Sequence, residues 1–194
     1  ILARNHQYLG VNEAVKAYAA RKLNDGKLGV FWHTQGSGKS YSMVFLSQKI
    51  RRKFAGSPTI VVLTDREELN SQISDTFENC GLLGTTKASK FIASSGDDLL
   101  DKLKGNPSFI FTLIQKFNKK PEEPIIPDHD IIIMSDEAHR SQYGVFADNM
   151  VGLLPTAARI GFTGTPLLSN DNITERTFGG YISIYDFKRA VEDK

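Results

Sequence analysis

Short β-branched runs alternate with helical patterns along the whole chain, and this rhythm restricts the possible fold more than any other feature of the sequence. The runs occupy residues 28–33, 59–64, 108–112, 130–135 and 159–163, each mostly unalternating and bounded by polar or turn residues. A strand that is apolar on both sides must be covered on both faces, as strands of a parallel sheet are. Helical patterns fill the intervals at 11–23, 39–54, 67–79, 97–103 and 145–154. The alternation predicts βαβ crossovers and a three-layer α/β domain with a mostly parallel central sheet and helices on both sides. Ligands of such folds sit beyond the carboxyl ends of the strands. Residues 121–128, PEEPIIPD, hold three prolines and read as a loop leading into the fourth strand.

Composition narrows the functional classes. Cys80 is the single cysteine, which excludes an internal disulfide framework and a cysteine-rich zinc cage and points to a reducing, cytoplasmic setting. No run approaches the roughly 18 apolar residues of a membrane span, so no membrane partner is expected. The net charge of +2 hides a gradient: residues 1–60 carry ten basic and two acidic side chains, whereas residues 121–194 carry six against twelve. Such asymmetry fits a protein that meets phosphates with one part and a cation or partner with another. The first residues, ILARNHQYLG, show neither an initiator Met nor a leader pattern, so the chain reads as a piece cut from a longer protein.

The most informative string is LGVFWHTQGSGKSYS, residues 28–42. It is an apolar run, a glycine-containing turn at Thr34, Gln35, Gly36, Ser37 and Gly38, then Lys39 and Ser40 opening a helical pattern. A phosphate chain needs backbone N–H groups turned into a loop and a helix N-terminus with its partial positive charge beneath. A cation for the β and γ oxygens, here Lys39, and a hydroxyl for Mg²⁺, here Ser40, complete the pattern. The strict motif asks for glycine where this chain has His33. The matching half of an ATP site should be an acid that ends a buried strand. DIIIMS, residues 130–135, runs into Asp136 and Glu137: Asp136 can hold Mg²⁺ through water, and Glu137 can orient or deprotonate an attacking water. ATP and Mg²⁺ are therefore the expected ligands. His6, His33 and His129 have no metal-ligand spacing.

Asp136-Glu137-Ala138-His139 reads as the DEAH form of the Walker B motif, so the chain resembles a superfamily 2 helicase. Further matches follow in that superfamily's order. Gln7, with Arg4, is similar to the motif that recognises adenine ahead of the first helix. TDREEL, containing Thr64 and Arg66, and TLIQKF, containing Thr112 and Lys116, are similar to segments that contact nucleic acid. GFTGTP, with Thr163, Gly164 and Thr165, is similar to the motif that links the ATP site to the strand, with His139 as its coupling partner. The strings HTQGSGKS, TDREELNSQI, DEAHRSQYG, GFTGTP and FGGYISIYDFKRAVED together resemble the motor of the restriction subunit of type I restriction–modification enzymes. That resemblance implies a single RecA-like P-loop NTPase domain over residues 1–194, the first of two motor lobes. It also implies a double-stranded DNA partner held by backbone contacts, and modification and specificity subunits as further partners. The nuclease domain and the second lobe, with its arginine for the ATP site, would lie outside these residues. Competing readings are another superfamily 2 motor, such as a DEAH RNA helicase or a chromatin-remodelling relative, and a nucleotide-gated interaction module that moves nothing.

Overall fold

The computed structural model describes residues 2–136, 143–166 and 172–192. In chain order these form α1 (Asn5–Ala19), β1 (Lys27–His33), α2 (Lys39–Lys53), β2 (Thr59–Thr64), α3 (Glu67–Asn79), α4 (Gly96–Lys104) and β3 (Phe109–Leu113). There follow β4 (Ile131–Asp136), α5 (Tyr143–Leu153), β5 (Ala158–Thr163), α6 (Asn172–Phe178), β6 (Tyr181–Tyr185) and α7 (Phe187–Glu192). The six strands make one sheet in the order β3-β2-β4-β5-β1-β6, and every pairing is parallel. The expected α/β architecture is present.

Two apolar layers sandwich the sheet, and the strand sequences decide which side chain joins which. Phe31, Ile60, Val62, Phe109, Phe111, Ile132 and Met134 pack with side chains of α1, α2 and α3. Their neighbours in sequence, Val30, Val61, Leu63, Ile110, Ile131 and Ile133, face the other way and pack with α4, α5 and α6. Successive side chains on a strand point to opposite faces, so the middle of a run such as TIVVLT must be apolar at every position. All six residues of β2 are buried. This is why continuous runs, not alternating ones, announced the strands.

The differences from expectation lie at the margins. The first helix begins at Asn5, six residues before the expected start, and the stretch to Leu23 continues as a separate 3₁₀ turn, Arg21–Leu23. β6 was not anticipated. It pairs only with β1 at the end of the sheet, and four of its five residues keep some exposure, so it lacks the buried-run signature. α1 lies tightly against both strands at Gly10: a methyl group there would come within 2.6 Å of the Phe31 ring and of Ser183 Oγ.

The amino-terminal edge of the sheet is tied together by polar groups. Tyr18 Oη and the Arg21 guanidinium both donate to Asp130 Oδ2, at 3.1 and 2.8 Å, joining the end of α1 to the entry of β4. Arg159 on β5 is buried, with its guanidinium spent on backbone carbonyls: Ala157 at 2.9 Å, Thr177 at 3.1 Å and Asp25 at 2.5 Å. A buried acceptor that loses its donor costs the full desolvation penalty. Arg159→Met keeps the aliphatic stem and strands three carbonyls. It is expected to lower unfolding free energy by about 2–4 kcal/mol, read as a fall in the urea midpoint at unchanged m-value; an unchanged midpoint would contradict the role given to Arg159.

Candidate active site

β1 ends at His33, and the chain turns through Thr34–Gly38 into α2. The turn is closed by the Ser37 N–H on the Thr34 carbonyl at 3.2 Å. Gly36 and Gly38 adopt the left-handed conformation, at φ +79° and +82°, which L side chains resist at roughly 1–2 kcal/mol per residue. Gly38 is confined as well: a Cβ would meet Gln7 Nε2 at 2.6 Å. Gly38 also occupies the cap position of α2. No side chain caps this helix and its first turn holds no acid, so its positive end is open to an anion.

Three side chains hold the loop from behind. His6 Nε2 donates to the Ser37 carbonyl at 3.0 Å, a carbonyl being able only to accept. Gln7 Nε2 donates to the Gly38 carbonyl at 3.0 Å, while its Oε1 accepts the Arg4 N–H at 2.9 Å. The Lys39 ammonium folds back to the His33 carbonyl at 3.3 Å, across the mouth of the turn. Ser40 is half-buried one position along α2, and Gln35 is exposed. Beside Gln7 a cavity of about 430 Å³ opens between α1 and α2, with Tyr8, Val11, Phe45 and Lys49 in its walls.

His33, standing where the strict motif has glycine, is buried under the loop. Its Nε2 lies 2.7 Å from Ser183 Oγ, and the rings of Phe31, His6 and Tyr185 surround it. Desolvation, with smaller contributions from His6 and Lys39, pushes its pKa from 6.5 down to about 3, so the ring is neutral.

The acid arrives from two strands away. Asp136 is the last residue of β4 and lies in register with Phe162 of β5, which lies in register with Phe31 of β1. Between the two strand ends, Thr163 Oγ1 accepts the Thr165 N–H at 3.1 Å and fixes the turn through Gly164. Glu137 and His139 lie outside the described residues. The four expected nucleic-acid contacts lie in or just past the last residues of β2 and β3, at the same edge of the sheet. Thr64 and Thr112 are buried, their hydroxyls bonded to the carbonyls of Arg66 and Leu113. Lys116 donates to the Ala93 carbonyl, and Arg66 is exposed, 3.6 Å from Asp65. The structure thus gathers the loop, Asp136 and the GFTGTP turn along one edge, and adds His6, which sequence reasoning weighed only as a metal ligand, and Ser183 and Tyr185, which it did not single out. The signal available for the last two was the YISIY segment after a Gly-Gly turn.

The family model described as SWI2/SNF2 ATPase matches residues 6–194. The type I restriction enzyme HindI endonuclease subunit of Haemophilus influenzae is 43% identical over 99% of this chain, which spans 20% of that protein. Among solved structures, the ATP-dependent type ISP restriction–modification enzyme LlaBIII bound to DNA superposes with a TM-score of 0.71 at 18% identity, over 100% of this chain and 15% of that one. The UvsW helicase from bacteriophage T4 superposes with a TM-score of 0.65 at 19% identity, over 93% and 60%.

The buried neutral His33 has a measurable consequence. The unfolded chain takes up this proton near pH 6.5 and the folded chain holds it off to about 3, so stability rises with pH across that window and is lost on acidification through it. His33→Gln is expected to flatten this slope in urea unfolding followed from pH 6.5 downward. The same slope in both proteins would mean that His33 is not held neutral.

Proposed function

Because the chain belongs to the SWI2/SNF2 ATPase family, we propose that it is the ATP-binding and hydrolysing lobe of a double-stranded DNA translocase, the motor part of the restriction subunit of a type I restriction–modification enzyme. Residues 1–194 make one RecA-like lobe in this reading. The second lobe, the nuclease and the modification and specificity subunits are further parts of the machine. The chain spans about a fifth of the length of the curated relatives it matches, which leaves room for such parts. One observation carries the proposal: a loop with two left-handed glycines and an uncapped helix end shares the carboxyl edge of the sheet with Asp136, only β5 intervening.

The residues fit a magnesium nucleotide. Thr34, Gln35, Gly36, Ser37 and Gly38 form the cradle for the phosphates, and Lys39 neutralises charge on the β and γ oxygens. Among the described residues no group of three His, Cys, Asp or Glu side chains could hold a metal. Mg²⁺ in this reading rests on Ser40, on Asp136 and on phosphate oxygens, the sparse protein coordination that ion favours. Bound there, it would polarise the γ-phosphate. Glu137 positions the attacking water, and Gln7 with Arg4 reads the base beside the α1–α2 cavity. His139, Thr163, Gly164 and Thr165 pass the state of the site to the DNA track, where Thr64, Arg66, Thr112 and Lys116 mark the expected contacts. Arg66 is the exposed cation among those four.

In the intact protein, Lys39→Ala is expected to abolish ATP-driven DNA movement in a triplex-displacement assay while assembly with the modification subunits persists. Retained movement would refute the role of Lys39. ATP turnover of the intact protein should rise with duplex DNA and not with RNA; the reverse would favour an RNA helicase. The 194-residue chain alone should bind nucleotide weakly and turn it over slowly, because a second lobe supplies the missing cation. Robust DNA-stimulated turnover by this chain would contradict a two-lobe site.

A further inference from the structure

We propose that His6 is a positioning residue of the phosphate cradle, which aims the Gly38 N–H into the loop by holding the Ser37 carbonyl, and that β6 locks it there through Tyr185. The proposal rests on the nucleotide reading of the loop at Lys39.

A trans peptide is a rigid plane whose C=O and N–H point in opposite directions. Fixing the carbonyl of one residue therefore fixes where the next N–H points. His6 Nε2 takes the Ser37 carbonyl towards α1 at 3.0 Å, so the Gly38 N–H of the same plane is turned away from α1. Gln7 does the same one plane later, taking the Gly38 carbonyl at 3.0 Å and turning the Lys39 N–H away. Consecutive N–H groups directed to one side form an anion-binding concavity. Two neighbouring residues of one helix turn thus set two neighbouring donors of the loop. Glycine at 38 offers little resistance to rotation of these planes, so holds from α1 add to the Ser37 N–H on the Thr34 carbonyl at 3.2 Å and the Ser42 N–H on the Gly38 carbonyl at 3.1 Å.

His6 can impose that restraint because it is itself immobile. It is 9% exposed. Its ring stacks on Tyr185 at 3.8 Å with an interplanar angle of 14°, and stands edge-on to His33 at 5.4 Å. Tyr185 also accepts the Thr34 N–H on its own carbonyl at 2.9 Å, and Ser183, two residues earlier on β6, lies 2.7 Å from His33 Nε2. One edge strand therefore holds the entry of the loop directly and its exit through His6.

The test uses the intact protein and three variants. His6→Phe keeps an aromatic ring against Tyr185 and removes the donor. His6→Gln restores a donor. Tyr185→Leu unseats the imidazole without changing the loop. Affinities are measured by calorimetry for MgADP, for inorganic pyrophosphate and for adenosine. His6→Phe and Tyr185→Leu should weaken MgADP and pyrophosphate by a similar factor, about fivefold, and leave adenosine binding unchanged. His6→Gln should recover most of the loss. Unchanged pyrophosphate affinity in His6→Phe, equal loss of adenosine, or failure of His6→Gln to recover would each overturn the proposal. Lys39→Ala separates the two levels: if it binds MgADP like the parent protein, the nucleotide reading itself is wrong. If Lys39→Ala loses MgADP while His6→Phe keeps it, only the role of His6 falls.

Discussion

Parallel strands all finish at one edge, and everything at this site depends on that constraint. β1 and β4 are separated only by β5, so their carboxyl ends stand two inter-strand spacings apart, about 10 Å. Lys39, just past the loop after β1, and Asp136, the acid ending β4, are 97 residues apart in sequence and neighbours in space because the chain runs out to the edge of the sheet and then reverses. It leaves β1 past β5 and β4 to reach β2 and then β3, and returns the other way past β2 to reach β4. Such a reversal opens a crevice at the strand ends. On the reading proposed here, a triphosphate and its cation bridge that crevice.

The two edges of the sheet do different work. At the amino edge, Asp130 receives Tyr18 and Arg21, and Arg159 gathers three carbonyls. These bonds are satisfied within the fold. At the carboxyl edge, the glycine loop, the uncapped end of α2 and the exposed guanidinium of Arg66 face outward. The charge gradient of the sequence maps poorly onto this division. Arg51, Arg52 and Lys53 end α2, which puts them at the amino edge, as are Arg21 and Lys22. The basic excess of the first sixty residues is therefore mostly remote from the glycine loop that leads into Lys39.

Legibility followed burial. The five buried runs, the loop at 34–38 and Asp136 could be read directly because each obeys a local rule: both-face burial for the strands, left-handed glycines for the turn, an acid at a strand end. β6 could not, because Tyr181, Ile182 and Ser183 are only half-buried and follow no continuous apolar run. The first turn of α1 was missed because Asn5, His6 and Gln7 are polar; two of them are buried by contacts with a loop some thirty residues away. Spacing identified Lys116 as a cation at a strand end. That its ammonium is engaged by the Ala93 carbonyl is a tertiary fact that no pattern in the sequence carries.

Gly10 has a consequence beyond its own packing. It stands one helical turn from His6 and Gln7, at the place where α1 has no clearance for even a methyl group above Phe31 and Ser183. The separation between helix and sheet is thus gauged by an omitted carbon atom, and the reach of both loop-holding side chains is measured from that gauge. Calibration of the loop is stored in the thinness of the backbone one turn away.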